Sequence, residues 1–266
     1  MQMKKYLVRP GHRASLDGIR PDDVSLAKDK DDAVKRLAAL QTRLTELQER
    51  LFAAHDTKVL IVLQGMDTSG KDGVIRHVVA SFNPQGTRVE SFRQPTEEEL
   101  DHDFLWRVHR KVPGKGEVVV FNRSHYEDVL VVRVHDLVPK NIWKQRYNQI
   151  VEFERILALN GTLILKFFLH ISRDEQRERL QKRLEDPTKH WKFKKGDLEE
   201  RKLWNAYERA YEDALSKTST QWAPWHIVPA DHKWYRDYVV GSIIVDALER
   251  LHLKYPKTDL SGIVVK

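Results

Sequence analysis

The stretch KVLIVLQGMDTSGKDG occupies residues 58–73 and sets the fold class. Residues 58–63 form an apolar run rich in β-branched side chains, a pattern typical of a strand buried on both faces of a parallel sheet. Gly65 and Gly70 then enclose four residues and precede Lys71, which is the P-loop (Walker A) pattern. Glycines let successive backbone N–H groups turn inward, and a helix beginning near Lys71 adds its positive end. The stretch therefore predicts a phosphate-binding loop between a strand and a helix.

Further strands are predicted on either side of this loop. They cover residues 88–92, 117–121, 162–169 and 226–228, and each is separated from the next by a helical pattern. Thr96 with Glu99, and Ser172 with Glu175, fit capping boxes that start two of these helices. The alternation predicts a three-layer α/β/α fold with a five-stranded parallel sheet, and it leaves open which strands are neighbours.

The rest of the chain divides into an arm, a single domain and a lid. Residues 1–30 lack periodicity and predict a surface arm, and residues 31–266 predict one P-loop domain. Within it, residues 31–55 form an amphipathic helix whose leucine stripe packs either on the domain's own sheet or on another subunit. Residues 184–197 break the helical pattern with Pro187 and Gly196, carry many lysines, and predict a basic lid.

Composition narrows the class of protein and of partner. The 266 residues are 41% hydrophobic and 32% charged, with a net charge of +7 and no cysteine. No disulfide, thiolate nucleophile or cysteine-ligated zinc is possible, and no apolar run approaches the ~20 residues that cross a bilayer. The first residues lack the apolar core of a signal peptide, so we expect a cytoplasmic protein without a membrane partner. The positive charge suits RNA, a phosphorylated metabolite or polyphosphate, without choosing between them.

Lys71 is the first candidate for a catalytic residue, because it places a positive charge against a transferred phosphoryl group. The hydroxyl that usually follows this lysine and ligates Mg²⁺ is replaced by Asp72. A carboxylate beside phosphate oxygens is repulsive unless a divalent cation bridges them, so Asp67 is predicted to hold Mg²⁺ or to position the acceptor, with Asp72 a weaker candidate. The remaining predicted phosphate-binding positions of the loop are Gly65, Met66, Thr68, Ser69, Gly70 and Gly73.

A second polar motif, residues 122–128, follows the strand predicted at 117–121. Open α/β sheets bind ligands at such strand ends. Asn122 stands where a P-loop kinase carries an acid, so Glu127 and Asp128 are the compensating candidates, with Asp128 a possible metal ligand. Arg123 is predicted to make bidentate contacts with phosphate.

These motifs resemble those of a known family. GMDTSGKDG at residues 65–73 followed by FNRSHYEDV at 121–129 is similar to the paired motifs of polyphosphate kinase 2. The similarity extends through most of residues 58–251. It includes Trp191-Lys192-Phe193 leading into Asp197, Trp204 and Tyr207, and the run PADHK at 229–233.

The resemblance implies a thymidylate-kinase-like fold with a helical lid. It implies transfer of phosphate between inorganic polyphosphate and the nucleotides AMP, ADP and ATP, with Mg²⁺ and without a covalent phosphoenzyme. By position, Asp67, Lys71 and Arg123 match catalytic residues, and the basic lid groups are Arg177, Arg179, Arg183, Lys189 and Lys192. The combination of Asn122 and Glu127 resembles the subgroup that accepts both AMP and ADP. A homo-oligomer is also expected.

Two other functions remain open from the residues alone. An ATP-dependent nucleoside monophosphate kinase would use the same loop and lid without a polyphosphate channel. A basic nucleic-acid-binding protein with a vestigial P-loop is permitted by the charge and seven tryptophans, although several aromatics sit where packing would bury them, so no nucleic-acid partner is expected. The histidines show no helical pair beside a carboxylate that would indicate a metal site.

Overall fold

A parallel five-stranded sheet organises the protein. The computed structural model describes residues 2–261 and 265, so the first residue of the predicted arm and residues 262–264 and 266 lie outside the described part. The strands are β1 Lys58–Gln64, β2 Thr87–Ser91, β3 Val118–Asn122, β4 Thr162–His170 and β5 Trp225–Pro229. Each predicted strand is confirmed to within two residues, and the order across the sheet is β2-β3-β1-β4-β5.

The central strand β1 shows why the sheet is buried on both faces. Val59, Ile61 and Leu63 pack into one hydrophobic cluster, whereas Leu60 and Val62 pack into the other. Neighbouring side chains of a strand point to opposite faces, so an apolar run fills two cores at once. All four strand pairs are parallel, so the loops that follow the strands emerge at one edge of the sheet.

Helices cover both faces and complete the three layers. The α-helices are α1 Lys30–Ala54, α2 Lys71–His77, α3 Glu97–Leu100, α4 Trp106–His109, α5 Val131–Val134, α6 Lys140–Leu159, α7 Arg173–Glu185, α8 Gly196–Lys202, α9 Trp204–Thr218 and α10 Lys233–Glu249. Short 3₁₀ helices lie at Gln2–Tyr6, Leu16–Gly18, Val79–Ser81, Pro84–Gly86, His125–Val129 and Pro187–Lys192. Buried residues of α1, α2 and α10 share one core, and those of α6 and α9 share the other.

The predicted amphipathic helix is α1, and it packs within its own domain. It lies against α10, with Leu44, Leu47 and Leu51 buried, and a Cβ added at Gly241 of α10 would lie 3.3 Å from the Leu37 side chain. Asp29 caps its first turn by accepting a hydrogen bond from the Asp32 amide. Of the two partners that the leucine stripe left open, the structure identifies the domain itself.

The segment before α1 is held down by buried side chains. Tyr6, Val8 and Leu16 are buried, and Leu7 forms an isolated antiparallel bridge with His226 of β5. The Asp231 amide donates to the Pro21 carbonyl. The segment thus lies along β5 and the start of α10, while the division into arm and domain stays a prediction.

Two helix starts differ in detail from the sequence patterns. The capping box of Thr96 and Glu99 is complete, with both reciprocal bonds present. Ser172 caps α7, but the Glu175 carboxylate bonds to Arg179 instead of reaching back to the helix start. Arg179 outcompetes a backbone amide because a charged pair forms a stronger hydrogen bond.

The predicted lid lies between α7 and α9. Pro187 opens the short helix Pro187–Lys192, and Gly196 opens α8. α8 ends at Lys202, and the next helix, α9, begins at Trp204. Within the described residues, no helix combines the length and apolar character needed to span a bilayer.

Candidate functional site

The loop after β1 has the geometry of an anion cradle. Gly70 has a φ of 105°, and a Cβ there would lie 1.8 Å from Arg236 Nη1, so only glycine fits. The Thr68 Oγ1 and Ser69 Oγ atoms are buried, and neither has a hydrogen-bond partner among residues 2–261 and 265. Buried hydroxyls without partners cost free energy, which phosphate oxygens at the loop would relieve.

The ammonium of Lys71 folds back onto this loop. Its Nζ donates to the carbonyl of Gly65 at 2.6 Å and to that of Met66 at 3.3 Å. Burial lowers the pKa of Lys71 to about 8, and the nearby charge of Arg123 acts in the same direction, whereas Asp67 and Glu127 oppose it. The charge is therefore poorly compensated, as expected for a lysine whose natural neighbour is an anion.

Two buried arginines support the loop from behind. Arg179 Nη1 donates to the Thr68 carbonyl at 2.8 Å, and its Nη2 donates to the carbonyls of Ala230 and Asp231 at 2.6 and 2.8 Å. Arg236 lies against Gly70 and forms a pair with Asp237 at 2.7 Å. The loop is thus fixed by the turn between β5 and α10 as well as by its own glycines.

The second motif meets the P-loop because β3 pairs with β1. Arg123 follows β3 with a left-handed φ of 64°, and its amide donates to the Leu63 carbonyl at 3.1 Å. Its guanidinium donates to Asp67 Oδ1 at 3.0 Å and lies 3.6 Å from Glu127 Oε2. Asp67, Arg123 and Glu127 therefore form one charged group, with a cation between two carboxylates.

Asn122 and Asp72 also lie together. Asn122 Nδ2 donates to Asp72 Oδ1 at 2.9 Å, which links the end of β3 to the first turn of α2. Oδ1 of Asp72 therefore already accepts one hydrogen bond from the Asn122 side chain. Both residues line the same groove as Lys71.

That groove, here called the basic groove, has a volume of about 580 Å³ and runs from the P-loop to the lid. Eleven of its twenty lining residues are Lys or Arg, against three Asp. Clustered positive charges repel one another, and a bound polyanion would relieve that repulsion. The groove has the charge and the volume to hold a chain of phosphates.

A second cavity, here called the aromatic cavity, has a volume of about 190 Å³ and also borders Asp67. Trp204, Tyr207 and Tyr211 of α9 form one wall, beside Glu200. Tyr207 donates to Glu200 Oε2 at 2.7 Å. Asp67 and Arg123 line both this cavity and the basic groove, so the two spaces meet at this pair.

The predicted metal ligands are not brought together. Asp67 borders both cavities, but Asp128 lines neither and is 2.8 Å from Arg146, with its pKa raised to about 6 by burial. Among the described residues, no group of three His, Cys, Asp or Glu has metal-binding geometry. Mg²⁺ usually binds through one or two carboxylates plus substrate phosphates, so Asp67 and Glu127 beside the loop fit an ion that arrives with its substrate.

The predicted lid cations have different positions. Arg183, Lys189 and Lys192 line the basic groove, as predicted for a phosphate channel. Arg179 also borders it, but its donors are engaged by protein carbonyls and Glu175, a geometry that favours bracing the loop over binding phosphate. Arg177 is 70% exposed beside Asp174 and is not a lining residue.

Several residues at the site were missed by the motifs. Gln64 Nε2 donates to Glu127 Oε1 at 3.1 Å, and Gln176 Nε2 donates to the Asp67 carbonyl at 3.1 Å. Arg236, and Lys233 within the PADHK run, also line the basic groove. These residues belong to the site because the fold brings them close to the P-loop, and their spacing in the sequence does not identify them.

The chain is similar to proteins of known class. The profile described as polyphosphate kinase 2 matches residues 27–256. An AMP/ADP-polyphosphate phosphotransferase of Meiothermus ruber is 57% identical over 98% of both chains. An ADP-polyphosphate phosphotransferase of Rhodopseudomonas palustris is 44% identical over 97% of this chain and 93% of its own. A crystal structure of polyphosphate kinase 2 from Arthrobacter aurescens superimposes with a TM-score of 0.92 at 47% identity, covering 96% of this chain and 92% of that one.

Proposed function

This chain belongs to the polyphosphate kinase 2 family and is a polyphosphate-dependent nucleotide phosphotransferase, and we propose that it phosphorylates both AMP and ADP and also runs in reverse. The observation that carries the proposal is the meeting of the two cavities at Asp67 and Arg123. A long polyanion and a nucleotide would enter from different sides and present their phosphates to one another at that pair.

The donor side is the basic groove. The loop amides, the two free hydroxyls and Lys71 would hold the terminal phosphate of polyphosphate, while the lid cations hold the phosphates behind it. Binding of the anion would draw Lys71 Nζ from the carbonyl of Gly65 to a phosphate oxygen. The negative phosphate would then balance the positive charge of Lys71.

The acceptor side is the aromatic cavity. A purine ring is flat and apolar on its faces, and Trp204, Tyr207 and Tyr211 offer a wall of the same kind. Arg123 would orient the acceptor phosphate with its planar guanidinium. The nucleotide phosphate is largely ionised near neutral pH and can attack without a general base.

Transfer requires the attacking oxygen, the phosphorus and the leaving oxygen to lie roughly in line. Asp67 and Glu127 would hold the Mg²⁺, which would neutralise charge on the donor and acceptor oxygens. Asp67 keeps Arg123 in place by accepting a hydrogen bond from it at 3.0 Å. This contact joins the site of the donor phosphate to that of the acceptor phosphate. Magnesium dependence, a homo-oligomeric state and a cytoplasmic location stay predictions.

The test is ATP formation by the purified protein from polyphosphate and Mg²⁺ with AMP or ADP. We expect ADP to accumulate first from AMP and ATP to follow. Lys71→Ala should reduce the rate at least ~100-fold. Lys140→Ala is the matched control, because Lys140 is exposed at the start of α6 and lines neither cavity.

Other outcomes separate the alternatives. Phosphorylation of AMP by ATP with no use of polyphosphate would make the protein a monophosphate kinase. Tight RNA binding without nucleotide turnover would make it a nucleic-acid-binding protein. Turnover of ADP with no consumption of AMP would limit the acceptor range to diphosphates.

A further inference from the structure

A buried polar network lies behind the second motif, away from both cavities. Lys166 in the middle of β4 and Glu154 of α6 are both fully buried and form an ion pair at 2.6 Å. His125 and Tyr126 of the motif are also fully buried and reach into this pair. None of these four side chains lines the basic groove or the aromatic cavity.

Hydrogen bonds engage every donor of Lys166 and both carboxylate oxygens of Glu154. Lys166 Nζ donates to Glu154 Oε2 at 2.6 Å, to the Tyr126 hydroxyl at 2.8 Å and to the Thr218 carbonyl at 2.8 Å. Glu154 Oε1 accepts from the Tyr126 hydroxyl at 2.8 Å and lies 3.3 Å from His125 Nε2. An ammonium has three donors, and all three have partners.

Such a pair is costly as a means of stabilising a core. Taking two charges out of water offsets most of their attraction, and apolar side chains of similar volume are often as stable. Burial lowers the pKa of Lys166. Burial also pushes the pKa of Glu154 upward, but the charge of Lys166 and the contact with His125 together outweigh it and keep that pKa below its ordinary value. Stability alone therefore does not account for the pair.

Its position suggests what it does instead. The motif has two sides. His125 and Tyr126 contact the buried network, whereas Arg123 and Glu127 line the aromatic cavity. Arg123 has a left-handed backbone, a conformation that a non-glycine residue keeps only when its surroundings enforce it. Holding the two residues that follow Ser124 is one way to enforce it.

The network also reaches the wall of the aromatic cavity. Thr218, the last residue of α9, accepts from Lys166 through its carbonyl, and its Oγ1 lies 2.9 Å from the Tyr126 hydroxyl. Trp225 of β5 donates from Nε1 to the same Oγ1 at 2.9 Å. The helix that carries Trp204 and Tyr211 is thus tied to the motif that carries Arg123.

We propose that Lys166 and Glu154 are positioning residues for the acceptor side of the reaction: they set the second motif so that Arg123 and Glu127 face the acceptor phosphate. This inference rests on the proposed function for the identity of the acceptor. It predicts a one-sided effect because, among the described residues, no side-chain hydrogen bond joins Lys166, Glu154 or the rings of His125 and Tyr126 to the P-loop or to the lid.

The experiment replaces both charges at once. Single variants Lys166→Met and Glu154→Leu each leave an unpaired buried charge and should lower the thermal midpoint, whereas the double variant should recover most of it. The double variant should still lose about 100-fold in kcat, because a displacement of about 1 Å at a reacting group has that effect. Its KM for ADP should rise about tenfold, while its KM for polyphosphate stays within about threefold of wild type.

Two further measurements keep the test decisive. Tyr126→Phe removes a single hydroxyl from the network and should show the same one-sided change, about tenfold in kcat, should the double variant fail to fold. Leu44→Ala on α1, buried in the opposite core, should lower the thermal midpoint without changing kcat at temperatures where it is folded.

The outcomes are distinct from those of the proposed function. A folded double variant with wild-type kcat and wild-type ADP affinity by calorimetry overturns the proposal. Equal increases in the KM for ADP and the KM for polyphosphate overturn it too, since they indicate that the whole site has lost its structure. If wild type makes no ATP from polyphosphate, the proposed function fails, and the comparison of ADP affinities still decides the role of the network.

Discussion

The pKa of Lys71 makes the capture of the donor sensitive to pH. Burial lowers that pKa to about 8, so the charged form dominates below this value and is lost above it. At pH 7 about 90% of the free enzyme carries the charge, and at pH 9 about 10% does. If only the charged form binds polyphosphate productively, kcat/KM for polyphosphate falls about tenfold between these two values.

The value of kcat should respond differently. A bound polyanion stabilises the ammonium and raises its pKa, so at saturating polyphosphate the rate should persist to higher pH. The assay is the initial rate of ATP formation from ADP between pH 6 and 9.5. Polyphosphate is held below or above its KM, with free Mg²⁺ and ionic strength constant.

The matched control is Lys71→Arg. A guanidinium keeps its charge throughout this range, although it places that charge with a different geometry and should lower the rate. The descending limb of kcat/KM should therefore be absent from the variant. The same limb in Lys71→Arg, or a wild-type profile that stays level to pH 9.5, would refute the role assigned to this titration.

Three other predictions concern the support of the loop and the groove. Gly70→Ala should lower the free energy of unfolding by about 2 kcal/mol or more and abolish transfer, because its Cβ would meet a buried guanidinium at 1.8 Å. Gly18→Ala, which meets nothing within 4 Å, should change the free energy of unfolding by less than about 0.5 kcal/mol in the same urea titration. Arg179→Met should lower the free energy of unfolding by about 3 kcal/mol, because the carbonyls of Thr68 and Ala230 lose the hydrogen bonds that Arg179 donates. It should also raise the KM for polyphosphate more than the KM for ADP. Neutralising Lys189 and Lys192 together should flatten the plot of log kcat/KM for polyphosphate against log salt by about 1.4 units, or about 0.7 for each cation, and an unchanged slope would place the donor elsewhere.

The fold could be predicted from local signals because each strand carries its own. The run at 58–63 and the four other predicted segments all became strands, and Thr96 with Glu99 formed the capping box that their spacing predicts. Ser172 with Glu175 formed only half of one, because Arg179 competes for the carboxylate. That competitor is one helical turn away, and its preference follows from its attachment to the P-loop in space.

The candidate site divides in the same way. Asp67, Lys71 and Arg123 stand in contiguous motifs, and the structure brings them to one place. Gln64 and Arg236 reach that place from the end of a strand and from the last helix, and no local pattern marks them. For Asp128 the motif and the fold point in different directions: its place in the motif suggests a metal ligand, whereas the fold pairs it with Arg146.

Strand register explains why the two motifs act as one site. β3 pairs with β1 so that Asn122 lies opposite Leu63, and the next residue, Arg123, donates its amide to that same Leu63. Its guanidinium then reaches Asp67 on the loop that follows β1. A shift of one residue would move Arg123 by about 3.3 Å and turn its side chain to the other face of the sheet. The contact at which the two cavities meet therefore depends on the pairing of two buried strands, and the apolar residues that fix this pairing contribute to catalysis without touching a substrate.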